Sequence, residues 1–370
     1  MKLERIRAYV TVGVMAALVL GLSVWCWLKP TDTYSESERR VLAAFPKVSM
    51  VTVLSGEFTK KFETYTQDQF PMRDSMRRVK AMTNLFVFQQ KDNNDIYLAD
   101  GYVSKLDYPL QTPMLDHAVE RFQHLMNQYL EPNGSKVYLA VIPDKNYYLA
   151  PPNGYLTMDY EALFEKMQQG CPNMEYIDLT GQLSIEDYYH TDTHWRQENL
   201  LPVAQYLAEQ MGVTLSGDGY RVETVEHPFR GVYVGQSALP LTSDTLHYLT
   251  SPELEQCIVT GYQNGVAAEI PLYNLKKAAG RDPYEMFTGG NNPLVTIENP
   301  NADTDRELII FRDSFAGSLA PLLAEGYSKI TLVDIRYVRS DLLGQLVDFH
   351  GQDTLFLYST LLLNSSTGLQ

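Results

Sequence analysis

Cysteine is scarce, three in 370 residues, and one of them, Cys26, lies inside a long apolar run. Cys171 and Cys257 then allow at most one disulfide, so the fold must rest on its core rather than on staples. Two separate buried thiols are the plainer expectation. Cations are also in deficit: 30 Lys and Arg stand against 45 Asp and Glu, a formal charge of −15. A body this acidic offers no footprint for a phosphate backbone, which excludes nucleic acid as a partner. Charge alone would not lay it on an anionic membrane either. There is no Arg-rich or His-rich tract and no internal repeat, and 45% hydrophobic residues exclude bulk disorder.

One long apolar run is present. Residues 8–28 (AYVTVGVMAALVLGLSVWCWL) contain no charge and precede Lys29-Pro30. At ~1.5 Å per residue this helix would cross the ~30 Å hydrocarbon layer. Lys2, Arg5 and Arg7 precede it, which keeps the short N-terminal end cytoplasmic, and Trp25 and Trp27 fall at the far interface. The exit Trp-Cys-Trp-Leu lacks the small-x-small pattern of a cleaved signal, and the bulky Trp25 argues against lipoprotein processing at Cys26. A retained signal anchor is expected, with the lipid bilayer as a partner through residues 8–28 and the body outside the cytoplasm.

The remaining chain divides by pattern. Residues 1–7 form the cytoplasmic end, 29–90 a juxtamembrane linker and helices, 91–364 the main domain and 365–370 a tail. Phe58, Phe62, Tyr65 and Phe70 recur at helical spacing until Pro71 interrupts them. Residues 95–103 (DIYLADGYV) predict a hairpin turning at Asp100-Gly101. Beyond residue 116, helical segments alternate with short apolar runs at 136–142 (KVYLAVI), 175–179, 307–311 (ELIIF), 330–335 and 354–358 (TLFLY). Such runs predict an α/β fold with a parallel sheet covered on both faces. Looser residues, about 215–300, predict an insertion of short strands and loops.

Chemistry-bearing residues concentrate in two places. In 187–195 (DYYHTDTHW), His190, Asp192 and His194 alternate and would share one side of an extended chain. The three could hold a divalent metal, or Asp192 could orient His194 as a general base, or the cluster could be a buried polar patch. Asp192 reaches the His194 Nδ1 only if the loop curls back. The second place is Ser314, in Arg312-Asp313-Ser314, which follows a buried strand and precedes a helix. Functional groups collect at such strand ends, although a helix cap would look the same. The Ser314 N–H, Gly290 and Asn291 are candidate oxyanion donors, and Arg336 could clamp an acyl or sugar oxygen.

The run 188–195 (YYHTDTHW) resembles the signature of the bacterial DHHW proteins, which belong to the SGNH-hydrolase-like group that includes the alginate O-acetyltransferases. Residues 35–46 (SESERRVLAAFP), 68–73 (DQFPMR), 141–145 (VIPDK), 289–293 (GGNNP), 311–315 (FRDSF) and 334–336 (DIR) resemble further blocks of that family in order. The resemblance implies an SGNH-hydrolase-like sheet flanked by helices. It makes Ser314 the nucleophile, His194 the base, Asp192 its orienting carboxylate, and Lys145 with Arg336 substrate-binding residues. No metal or cofactor is implied. Thr193 stands where the signature carries its first His, and Arg312 replaces the glycine of the usual Gly-Asp-Ser block, which leaves the role of Arg312 open. The expected activity is a serine O-acetyltransferase or acetylesterase on a cell-surface polysaccharide. Transfer would need a separate polytopic membrane acyltransferase as acetyl donor. A metal-dependent hydrolase using His190, Asp192 and His194, and a catalytically silent glycan-binding envelope protein, are the alternatives.

Overall fold

A computed structural model describes residues 2–263 and 266–370. The chain forms two compact units. One comprises the residues up to Asn94 together with Val234–Pro240; the other comprises Asp95–Tyr233 and Leu241–Gln370.

In the first unit, residues Lys2–Leu28 form one continuous helix. Its stretch Leu3–Leu28 is long and apolar enough to cross a membrane, and no residue of its most apolar window is buried. That fits a single-pass anchor. Helices Glu57–Asp68 and Arg73–Met82 follow, held by an ion network. Asp68, 4% exposed, accepts from Arg40 at 2.9 and 2.5 Å, and that guanidinium keeps its carboxyl below the usual carboxylate range. Arg73 and Arg77 both pair with Glu38.

The second unit is built on an eight-stranded sheet. Its strands in chain order are β1 (Val137–Ile142), β2 (Glu175–Asp178), β3 (Ile258–Gln263), β4 (Val266–Glu269), β5 (Leu294–Glu298), β6 (Glu307–Arg312), β7 (Lys329–Val333) and β8 (Asp353–Ser359). The spatial order is β4-β3-β5-β7-β6-β8-β1-β2. Strands β7, β6, β8, β1 and β2 run parallel, while β5, β3 and β4 join antiparallel. The central strands are buried on both faces because their side chains alternate between two cores. Tyr138, Ala140, Ile142, Leu308, Ile310, Leu355 and Leu357 enter one core, under the helix Leu201–Gln210. Val137, Leu139, Val141, Ile309, Phe311, Phe356 and Tyr358 enter the other, under Thr112–Leu125 and Tyr160–Gly170. Full burial of one such side chain contributes about 1.5–3 kcal/mol.

Two expectations change and one holds. Residues 215–300 are not wholly an insertion: the hairpin Arg221–Phe229/Asp244–Thr250 lies outside the main sheet, but β3, β4 and β5 extend that sheet antiparallel. Residues 365–370 are not a loose tail, because Ser366 and Leu369 are buried and Gln370 N donates to Ile335 O. As expected, Cys171 and Cys257 are separate free thiols, Cys171 in one core and Cys257 packed against the other, with the sheet between them. The expected hairpin forms, with Ile96–Ala99 pairing Tyr102–Lys105 and both turn residues, Asp100 and Gly101, at positive φ (48° and 84°).

Candidate active site

The carboxyl ends of the parallel strands gather the polar residues of the second unit. Ser314 follows β6. The preceding Asp313, 2% exposed, fixes the turn: one carboxylate oxygen accepts Phe315 N–H at 3.0 Å and the other Ser359 N–H at 2.8 Å. Asp313 is therefore consumed in aiming Ser314. Arg312 is also buried, and its guanidinium donates to the carbonyls of Gly290, Asn292 and Asp313 at 3.0, 3.2 and 3.3 Å. It ties the 290–292 loop to the strand end, an anchoring contact that a glycine could not make.

The His segment is not extended. Tyr188 bridges Trp195 antiparallel, and Tyr189 N–H donates to His194 O, so the chain doubles back. Asp192 lies at the turn with Oδ1 accepting His194 N–H at 3.1 Å and meeting His194 Nδ1 at 2.6 Å. Val232 N–H donates to its other oxygen at 2.8 Å. On the far side of the ring, His194 Nε2 lies 2.8 Å from Ser314 Oγ. A carboxylate can only accept, so Nδ1 carries the proton and Nε2 presents a lone pair to the serine hydroxyl. Asp192, His194 and Ser314 thus form one hydrogen-bonded chain across about 120 residues.

Packing fixes the imidazole plane. Tyr284 stacks on it at 3.8 Å between centroids and 9° between planes. Tyr284 is itself held at Ser318 Oγ (2.8 Å), which also receives Trp195 Nε1 at 2.8 Å. Because Ser318 donates to Phe315 O at 3.2 Å, its one proton is used and the Tyr284 hydroxyl is the donor. The tryptophan of the signature thus links the base loop to the helix that follows the nucleophile. Nothing local in the sequence marks Tyr284 or Ser318; only the fold brings them to the ring.

The other sequence candidates are placed elsewhere. His190 is about half exposed, pairs with Asp244 at 3.2 Å and stacks on Tyr102 at 4.4 Å, so it does not share a pocket with the two nitrogens of His194. Among the described residues no cluster of three His, Cys, Asp or Glu side chains could hold a metal. Gly290 N–H donates to Phe287 O at 2.9 Å and Asn291 Nδ2 donates to Glu285 at 2.5 Å, so both expected oxyanion donors are bonded to other partners. Arg336 is bound bidentate to Asp334 at 2.9 and 2.6 Å rather than held free as a clamp. Lys145 is 1% exposed, with Nζ donating to the carbonyls of Val103 (2.9 Å) and His190 (3.4 Å). Burial pushes its ammonium down to about 7 against the opposing pull of Asp192, Asp244 and Asp144. It buttresses the base loop from beneath and does not face a substrate.

Solved structures place this architecture. A Bacillus cereus PatB1 structure with a sulfonyl adduct superposes with a TM-score of 0.60 at 20% identity, covering 72% of this chain and 95% of that one. A DHHW family protein from Eubacterium siraeum superposes with a TM-score of 0.58 at 20% identity, covering 75% and 95%. This chain has the fold of a DHHW family protein. The O-acetyltransferase domain of Pseudomonas putida AlgJ superposes less well, with a TM-score of 0.43 and 14% identity over 73% of this chain and 92% of that one. No protein-family model matches the chain, and no curated protein matches it.

Proposed function

We propose that the chain is a membrane-anchored, extracytoplasmic serine O-acyltransferase or esterase that passes an acetyl group through Ser314, with a cell-surface polysaccharide as acceptor or substrate. The observation that carries this reading is the single imidazole bonded to a buried carboxylate at 2.6 Å and to a serine hydroxyl at 2.8 Å. His194 Nε2 takes the Ser314 proton as Oγ attacks the acyl carbonyl, and Asp192 stabilises the imidazolium that results. Collapse of the tetrahedral intermediate returns that proton to the leaving group. A sugar hydroxyl or water, activated by the same His194, then releases the acyl-Ser314 ester. The Ser314 N–H remains the candidate oxyanion donor.

The acetyl group and the polysaccharide come from the resemblance of the ordered motif blocks, and the shared fold supports them. An acetyl donor on the membrane side, such as a polytopic acyltransferase, is required if the acceptor is a sugar. Because the PatB1 structure carries a sulfonyl adduct, a sulfonyl fluoride is the natural probe here. An activated serine attacks the sulfur and expels fluoride. Wild-type protein should become labelled at Ser314 and turn over an acetyl-ester reporter, while Ser314→Ala does neither. A chain that is neither labelled nor active would instead favour the silent glycan-binding reading.

A further inference from the structure

The unit that contains the apolar helix also carries an apolar surface that no described residue covers. Phe45, Val48, Met50, Val51 and Leu54 are 52, 66, 79, 76 and 80% exposed. The short helix Met50–Leu54 buries none of its residues, yet it is a built element: Ser49 and Thr52 close a capping box at its start. Contiguous apolar exposure of this kind marks an interaction surface, since each side chain would gain on the order of 1.5–3 kcal/mol from leaving water.

The place of this surface identifies its occupant. Phe45, Phe62 and Phe70 line a groove of about 520 Å³ whose other wall is Leu18, Val19 and Leu22 of the apolar helix. Phe45, at the start of the exposed segment, therefore lies against the C-terminal half of that helix, and Val48 to Leu54 follow it within nine residues. Along the helix the groove runs from Leu18, about 15 Å before Leu28, through Leu22 at about 9 Å, to Lys29 at the helix end. Interfacial elements enter a bilayer to a similar depth, ~5–10 Å. Charge agrees: residues 41–62 hold Lys47, Lys60 and Lys61 against Glu57 alone, which pairs with Lys61, a net charge of +2 in a chain of formal charge −15. Lysine stems can run along apolar surface and place their ammonium groups among anionic headgroups. The overall acidity that keeps the rest of the protein off such a surface does not extend to this segment.

We propose that residues 41–62 lie in the headgroup layer of an anionic bilayer beside the apolar helix. The chain is then held by a spanning contact and an interfacial platform together, which limits its tilt. This inference rests on the reading of residues 8–28 as a bilayer span. It is tested on the full-length chain reconstituted in phosphatidylcholine bilayers containing phosphatidylglycerol. A leucine-like diazirine side chain replaces Val14, Leu54 or Leu156 in turn; Leu156 is 61% exposed in the second unit. Photolysis and mass spectrometry should find lipid adducts at positions 14 and 54 and water adducts at 156. Lys47→Glu, Lys60→Glu and Lys61→Glu combined should lower the lipid adduct at 54 severalfold and leave that at 14 unchanged. Lipid at 14 with water or protein adducts at 54 would overturn the platform and leave the anchor standing. Water at both would overturn anchor and platform together. An undiminished adduct at 54 in the triple variant would overturn the choice of an anionic surface.

Discussion

His194 and His190 differ only by position in an eight-residue run, and their surroundings separate them. In the proposed triad His194 is bonded on both nitrogens, whereas His190 is half exposed against Asp244. His194→Ala should lower acetyl-ester turnover by on the order of 10⁴ or more. His190→Ala should retain a measurable fraction, and a chelator should leave the wild type unaffected. Equal losses in the two variants with chelator sensitivity would return the metal reading to first place. Tyr284 is a positioning residue in this scheme. Tyr284→Phe keeps the stack and should stay within severalfold of wild type. Tyr284→Leu frees the ring and should lower kcat by on the order of 10², with a shifted pH–rate profile that a purely structural loss would not produce. Lys145 gives a pH prediction. Its folded value is held near 7, below the ordinary lysine range, so from about pH 7 to about 10 the unfolded chain binds a proton that the folded chain does not. Stability contributed by this group therefore rises with pH across that window. Lys145→Met should flatten the rise in urea unfolding midpoints measured over the same range.

At the scale of elements, the base loop depends on a neighbour far away in the chain. Val232 N–H holds Asp192, Gly231 N–H donates to Thr191 Oγ1 at 3.0 Å, and a Cβ on Gly231 would sit 2.2 Å from the Thr191 carbonyl. Gly231→Ala must push the loop away from residues 231–232 and displace Asp192. Turnover should fall by on the order of 10², and a preserved circular dichroism spectrum would assign the loss to the loop. This dependence shows what the sequence could reveal. Strands β1, β6 and β8 were legible because continuous apolar runs of four to six residues leave few other ways to bury both faces. Asp192, His194 and Ser314 stood out because their residue types and flanking elements restrict their chemistry. The antiparallel additions β3, β4 and β5 did not stand out: β4 is an edge strand exposed along its length, and β3 and β5 are short runs among loops punctuated by Gly, Pro and Asn. Nor did Tyr284 or the fates of Gly290, Asn291, Lys145 and Arg336, because each is decided by which of many possible partners the folded chain turns toward it.

For the whole molecule, the division into two units does not follow chain order. Residues Val234–Pro240 belong to the first unit although the chain on either side belongs to the second. Within the first unit, Arg77 donates to the carbonyls of Gly235 and Gln236 at 2.9 and 3.2 Å, and Asn93 donates to that of Ser237 at 3.3 Å. Gly235 meets the Ser37 backbone so closely that no Cβ could be accommodated there. The segment 234–240 thus begins one residue after Tyr233, whose N–H donates to Thr191 O, and two after Val232, which holds Asp192. Removing only the apolar helix leaves the bonds from Arg77 and Asn93 in place; removing everything before residue 95 removes them. Each bond contributes about 1 kcal/mol, and those from a charged donor about 1.5–3. The shorter chain, 95–370, should therefore melt well below 31–370 and should lose acetyl-ester turnover disproportionately, because the freed segment lies next to the residues that fix Asp192. Thermal melts paired with reporter turnover at a temperature where both chains remain folded separate the two effects. Equal turnover there would mean that residues 29–94 serve the membrane alone and contribute nothing to the order of the active site.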